Sequence, residues 1–233
     1  DVGPNKLVAN SAGNVGIGTA SPTANLSVNS SNVETKINIT DSTTGSTITD
    51  GLLLQSGAAN AYLWNYEAGN LIVGNNNAEA MRIDAAGIVT MPLQPAFQVR
   101  PSVVQDNIAT SGSVTVVLGS EIFDQNSDFN TSNSLFTAPV TGKYQFNFAI
   151  RLDNIDTAAN YYQTRIVTSN RTYEMTQQLN RFSADVQYWN MPTMAALTDM
   201  DAGDTAFFEV SQSAGTAQTD IVDTTVVSGY LVC

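Results

Sequence analysis

The sequence predicts an all-β protein, on three observations. Helix signals are almost absent from the 233 residues. Gly, Asn, Ser and Thr punctuate short apolar runs throughout, the composition of strands joined by turns. Where apolar residues recur they do so at every second position. Tyr144, Phe146, Phe148 and Ile150 do this over a long stretch, and period two places all four on one face. Two prolines three apart, Pro92 and Pro95, stiffen a short extended linker and discourage ladder pairing. The expected division is therefore 1–95, a run of short β units ending in a Pro-rich neck, and 96–233, a jelly-roll sandwich.

In the first part, Leu26 and Val28 alternate, as do Ile37 and Ile39, then Leu52 and Leu54. A weak repeat joins them. Gly13-Asn14-Val15-Gly16-Ile17-Gly18 parallels Gly69-Asn70-Leu71-Ile72-Val73-Gly74, with a degenerate third copy at 87–92. Each unit is a turn glycine followed by a short strand, and it buries too little surface alone. Winding three chains together is one way to supply the missing neighbours. The segment GNVGIGTASPTANLSV (13–28) resembles a unit of phage tail-fibre and tailspike shafts, and AMRIDAAGIVTM (80–91) resembles another. The resemblance implies a trimeric β-shaft over 1–95.

The second part is long enough to bury roughly two-thirds of its unfolded surface. About ten strands are expected, at 96–101, 114–118, 120–123, 134–138, 142–151, 161–168, 171–176, 184–194, 204–211 and 225–232. That count and spacing suit a jelly roll. Pro139 and Gly142 shape the connection before the long aromatic strand, and Gly203-Asp204 turns into the strand beginning at Thr205. Gly229 leaves room for a neighbouring backbone or ring.

Three strings occur here in fixed order: FTAPVTGKYQF (136–146), LTDMDAGDTAF (197–207) and VSGYLV (227–232). Together they resemble the C1q-like globular head of the tumour-necrosis-factor superfamily. The resemblance implies a C1q/TNF-like jelly roll, a homotrimer and a binding module without catalysis. It also implies that Tyr144, Phe146, Phe148, Gly229 and Tyr230 serve the trimer interface or the protomer's own core, the two alternatives standing equal. Phe129–Asn133 and Val227 depart from vertebrate members, so vertebrate ligands do not carry over.

Antiparallel alternation places the loops 152–160, 177–183 and 212–224 at one apex. Their Asp153, Asn154, Asp156, Asn160, Gln178, Arg181, Asp220 and Asp223 are the expected receptor-contact residues, since loops vary freely on a fixed sandwich. With the shaft resemblance, the implied function is attachment of a virion fibre, such as a phage tail fibre, to a bacterial surface glycan or outer-membrane component. The N-terminal end would join other virion proteins. A structural head or neck fibre, a capsid decoration protein and a non-viral surface adhesin are the alternatives.

Composition excludes other classes. With 21 acidic and 9 basic side chains the net charge is -12, which disfavours nucleic acid, whose phosphates need clustered Lys and Arg. The absence of His removes the commonest general base and metal ligand. Cys233 is the only cysteine and the last residue, so no disulfide forms within one chain; it reads as a small residue ending the last strand, with a bridge between chains as the alternative. No stretch approaches the ~20 apolar residues of a membrane-spanning helix, so no membrane insertion is expected. The chain begins Asp-Val-Gly without an initiator Met, as a C-terminal fragment or processed product would.

No nucleophile elbow, phosphate loop or zinc motif is present, and no enzyme activity is expected. The Asp124–Asn130 stretch alternates oxygen-bearing side chains like a calcium loop. However, Phe129 replaces the required Gly and Leu135 the bidentate Glu, so a turn rich in Asx residues is expected there. Asp153, Asp156, Asp220 and Asp223 offer oxygens of the kind that hold calcium near the apex of some relatives. No cofactor is otherwise expected.

Overall fold

The computed structural model describes residues 7–179 and 182–233, and among them every regular element is a strand. The chain separates into two units, Asp1–Met91 and Pro92–Cys233.

The first unit holds nine strands: β1 (Leu7–Ala9), β2 (Val15–Ile17), β3 (Leu26–Val28), β4 (Glu34–Ile39), β5 (Leu52–Gly57), β6 (Asn60–Asn65), β7 (Leu71–Asn75), β8 (Ala78–Ile83) and β9 (Val89–Thr90). They form three consecutive three-stranded sheets. The turn between β7 and β8 shows why these residues make hairpins. Asn76 and Asn77 both take positive φ, 49° and 60°, as the tightest β-hairpin turn requires.

These sheets do not enclose a core. Among the described residues Leu53 is the one large side chain of the unit that is fully buried. The register aligns Ile37, Leu54 and Leu63 on one face of the second sheet, and all three are exposed. On its other face Tyr62, Trp64 and Tyr66 stack along β6 with ring centroids 6.3 Å apart.

The second unit is a two-sheet sandwich built from β10 (Ala96–Arg100), β11 (Val114–Thr115), β12 (Ser120–Asp124), β13 (Phe129–Asn130), β14 (Leu135–Thr137), β15 (Gly142–Ala149), β16 (Arg151–Ile155), β17 (Tyr161–Thr168), β18 (Thr172–Gln177), β19 (Val186–Asn190), β20 (Met194–Met200), β21 (Thr205–Ser213), β22 (Asp220–Ile221) and β23 (Val226–Leu231). One sheet has the order β12-β10-β23-β15-β20. The other runs β13-β14-β21-β17-β18, with β11 also paired to β21. A small third sheet joins β19, β16 and β22. The predicted all-β jelly roll is the observed fold.

The core lies between the two large sheets. Alternation along β15 sends Tyr144, Phe146 and Phe148 inward, where each is fully buried. Phe97 from β10 and Phe136 from β14 meet at 5.1 Å between ring centroids, Phe136 meets Phe146 at 5.4 Å, and Phe146 meets Phe208 from β21 at 6.0 Å. Such stacked and edge-on pairs add to the area they bury. Gly229 makes this packing possible: a Cβ there would stand 2.6 Å from both Phe97 and Phe146 ring atoms.

Of the two roles left open for the aromatic residues, the structure gives Tyr144, Phe146 and Phe148 the core of their own protomer. The Tyr144 hydroxyl donates to the Val140 carbonyl at 2.7 Å. Burial pushes its phenol above the ordinary value. Gly229 is buried with them, while Tyr230 points out and is half-exposed.

Several strand limits differ from expectation. The stretch 184–194 is two strands' worth of chain, β19 and the start of β20, split at Met191-Pro192, where proline lacks a ladder donor. The stretch 142–151 breaks at Ile150, so that β15 and β16 join different sheets. Strands β16 and β22 lie inside segments read as loops.

Replacing Gly229 by Ala is expected to lower stability by about 1–3 kcal/mol, because the methyl overpacks two rings that the sandwich holds in place. A shifted denaturation midpoint with an unchanged slope checks this. Phe146→Ala should cost about 3–5 kcal/mol through the opposite defect, a cavity.

Candidate functional site

The sandwich has two distinct ends. At the base, Leu231 N donates to Pro95 O at 3.0 Å, Lys143 N to Cys233 O at 2.7 Å and Gly203 N to Ala138 O at 2.8 Å. The stretch that precedes β10 and the last strand therefore share this end. Cys233 is exposed there with a free thiol.

At the apex the segments 156–160, 182–185 and 214–219 come together. Asn160 N donates to Ser213 O at 2.7 Å. The Asp185 carboxylate accepts from Thr157 N at 2.8 Å and Thr157 Oγ1 at 2.7 Å, and on its other oxygen from the Gln218 amide at 3.2 Å. These bonds hold the Asp185 carboxyl below its ordinary value, the Thr157 N–H contributing most.

Three of the predicted contact residues sit on the small sheet. Asp153 is the register partner of both Asp220 and Tyr188. Arg151 lies across this row: its guanidinium donates to Asp153 at 3.0 Å and its charged carbon lies 5.2 Å from the Tyr188 ring centroid. Asn154, at φ 53°, donates to Asp220 at 2.7 Å, and Asp220 also accepts from Asn107 N at 2.8 Å. Asn160, Gln178 and Asp223 are exposed. Arg181 lies outside the described residues.

Asp156 corrects the sequence reading. It is 4% exposed, and its carboxylate accepts from Ala158 N at 2.8 Å and from Thr216 N. It therefore ties two loops together from inside and offers nothing to a partner. Gly215 lies against it with φ 82°, where a Cβ would strike the carboxylate. Beneath, the Tyr162 hydroxyl bonds to Thr219 Oγ1 at 2.6 Å and accepts from Asp156 N at 3.1 Å. Burial pushes this phenol up, partly offset by those bonds.

Sequence reasoning missed Tyr188 and Asp185. Tyr188 is 61% exposed at the apex. The expected single strand 184–194 gives no sign that Tyr188 lies beside Asp153. Elsewhere, the Asp124 carboxylate accepts from Asp128 N at 3.2 Å and Phe129 N at 2.9 Å, closing the expected Asx-rich turn. Asp128 is raised above its ordinary value by burial first and by Asp124 second. Among the described residues no three His, Cys, Asp or Glu side chains cluster as metal ligands would.

The outer faces of the two sheets differ in charge. On the five-stranded sheet the outward rows are Phe123, Gln98, Ser228, Asn147, Ala195, and next to it Ala96, Tyr230, Gln145, Leu197. Neither of these central rows carries a charge, and Phe123, Tyr230 and Leu197 are each about half-exposed; the exposed Lys143, paired in register with Asp199, flanks them at one end and Arg100 at the other. The outward face of the six-stranded sheet instead carries Arg165 aligned with Glu174 and Glu209.

The C1q domain pattern matches residues 96–232, more than half of the chain. Among solved structures, the globular domain of zebrafish complement 1qA protein is similar at 18% identity and a TM-score of 0.43, covering 60% of this chain and 98% of that one. Murine APRIL at pH 8.5 is similar at 9% identity and 0.42, covering 60% and 99%. Vertex protein P5 of PRD1 is similar at 12% identity and 0.43, covering 60% and 98%. No curated protein matches the chain. Among the described residues no helix is long and apolar enough to cross a membrane.

Asp156→Ala should leave the Ala158 and Thr216 amides without acceptors and cost about 1–3 kcal/mol. Faster hydrogen exchange confined to 157–160 and 214–219 is the readout. Asp185 has a lowered folded-state pKa, so its stabilisation is complete above the ordinary value of 3.8 and is lost as pH falls below it. The Thr157 amide resonance should accordingly hold steady from about pH 6 to about 4 and shift only below that.

Proposed function

Because the chain belongs to the C1q family over residues 96–232, we propose that it is the homotrimeric fibre protein of a virion, attaching it to a bacterial surface receptor. C1q/TNF-like domains typically form homotrimers and are generally non-enzymatic binding or structural modules. In this reading 1–95 forms the shaft, 96–233 the head, and the N-terminal end joins other virion proteins.

The observation that carries the proposal is the polarity of the head. The residues leading into the sandwich and its last strand share the base, and the loops gather at the opposite end. Such a head presents its loops outward when held from below. Asn154, Asn160, Gln178, Asp223 and Tyr188 are the exposed apex side chains available to a receptor. Asp153 and Asp220 are the half-buried frame between them.

Two further observations favour assembly in threes. The two central rows on the outer face of the five-stranded sheet carry no charge in a chain of net charge -12, and a second copy could approach them without like-charge repulsion. The first unit leaves Ile39, Leu54 and Leu63 open to solvent, and further copies of the same strands would cover them. Linked heads raise avidity by ~10²–10⁴ without new contacts, so a weak single-site affinity suffices.

Purified protein should sediment as a trimer at micromolar concentration and compete with the virus for adsorption to host cells. Asn160→Lys and Gln178→Lys should reduce that competition while the trimer persists. A folded solitary protomer defeats the assembly, and a trimer that coats particles yet leaves adsorption unchanged makes the protein a decoration instead.

A further inference from the structure

The outer face of the six-stranded sheet carries a cavity of about 390 Å³. This is within the roughly 300–1,000 Å³ of small-molecule sites. Alternation along β17 lines up Tyr161, Gln163 and Arg165 on one face, opposite Ser213, Ser211 and Glu209 of β21. The 110–113 segment forms the other wall. Ala214 N donates to Thr110 O at 3.0 Å, Ser113 Oγ lies 3.2 Å from Ser211 Oγ, and the Arg165 guanidinium donates to Ser113 Oγ.

The lining is polar. Gln163 and Ser211 are each 7% exposed. The Gln163 amide donates to Thr176 Oγ1 at 2.9 Å, which fixes its orientation beside the serine hydroxyls.

We propose that this cavity binds a neutral pyranose of a bacterial surface glycan, an inference that rests on the attachment reading. Pyranose hydroxyls both donate and accept, as do the serine hydroxyls and the Gln163 amide around them. The Tyr161 ring at the mouth supplies an apolar face for the C–H side of the sugar. Charge selects against acidic sugars. Arg165 lies 3.4 Å from Glu174 and 3.8 Å from Glu209, so its positive charge is already offset by two carboxylates. The cavity also lies on the six-stranded sheet, away from the five-stranded face that the proposed assembly would cover.

Saturation-transfer NMR on the whole chain tests this with the methyl glycosides of glucose, galactose, mannose and N-acetylglucosamine, and with N-acetylneuraminic acid as the anionic counterpart. At least one neutral glycoside should show transfer, and the acid none. Tyr161→Ala should weaken binding up to about tenfold. Ser111→Trp, made on the exposed loop and filling the cavity from outside, should abolish it with the fold intact by near-ultraviolet dichroism. No transfer from any neutral glycoside, preference for the acid, or binding untouched by Ser111→Trp overturns the proposal. If that happens while the protein still blocks adsorption, only the cavity assignment falls. If the protein does not block adsorption, the attachment reading falls with it.

Discussion

The head depends on a missing side chain. Gly229 lies on β23, which runs between β10 and β15, and the rings of Phe97 and Phe146 from those two neighbours close over it. Any Cβ there would force the rings apart, and with them the strands that carry them. Phe97 and Phe146 also pack against Phe136 and Phe208 of the other sheet. One vacant position thus fixes the lateral order of one sheet and its distance from the second. The apex loops inherit their spacing from that arrangement, because each begins or ends on a strand whose inward residues touch this cluster.

The alternating residues of β10, β15 and β17 were readable from the sequence because local periodicity reports a strand with one buried face. What stayed hidden was long-range. Asp156 reads as a loop carboxylate, and nothing nearby reveals that its partner is the amide of Thr216. The period along β15 gives no warning at Ile150, where the chain leaves one sheet for another. The face pattern says that Tyr144, Phe146 and Phe148 point the same way, but not whether they meet their own sheet or a partner's. The three-dimensional answer came from rings on strands distant in sequence. Tyr188 escaped notice because its value lies in the row it shares with Asp153 and Asp220, a row made by strands too short to signal themselves.

The two units solve burial differently. Residues 92–233 bring two sheets together over a ring-filled interior. Residues 7–91 repeat a three-stranded unit that hides little beyond Leu53. A sheet of that size is marginal alone. The described residues of the first unit enclose no interior of this kind, whereas the sandwich has one of its own. A packed interior constrains which residues stand where, and a repeated hairpin constrains mainly its turns.

The opposite placement of loops and base has a mechanical consequence. In the attachment reading, a tug delivered at the apex would leave the sandwich through Pro95 and load β10 lengthwise. That strand is laddered on both edges, to β12 and to β23. Antiparallel ladder bonds stand perpendicular to the strand, so a lengthwise load shears all of them at once instead of peeling them in turn.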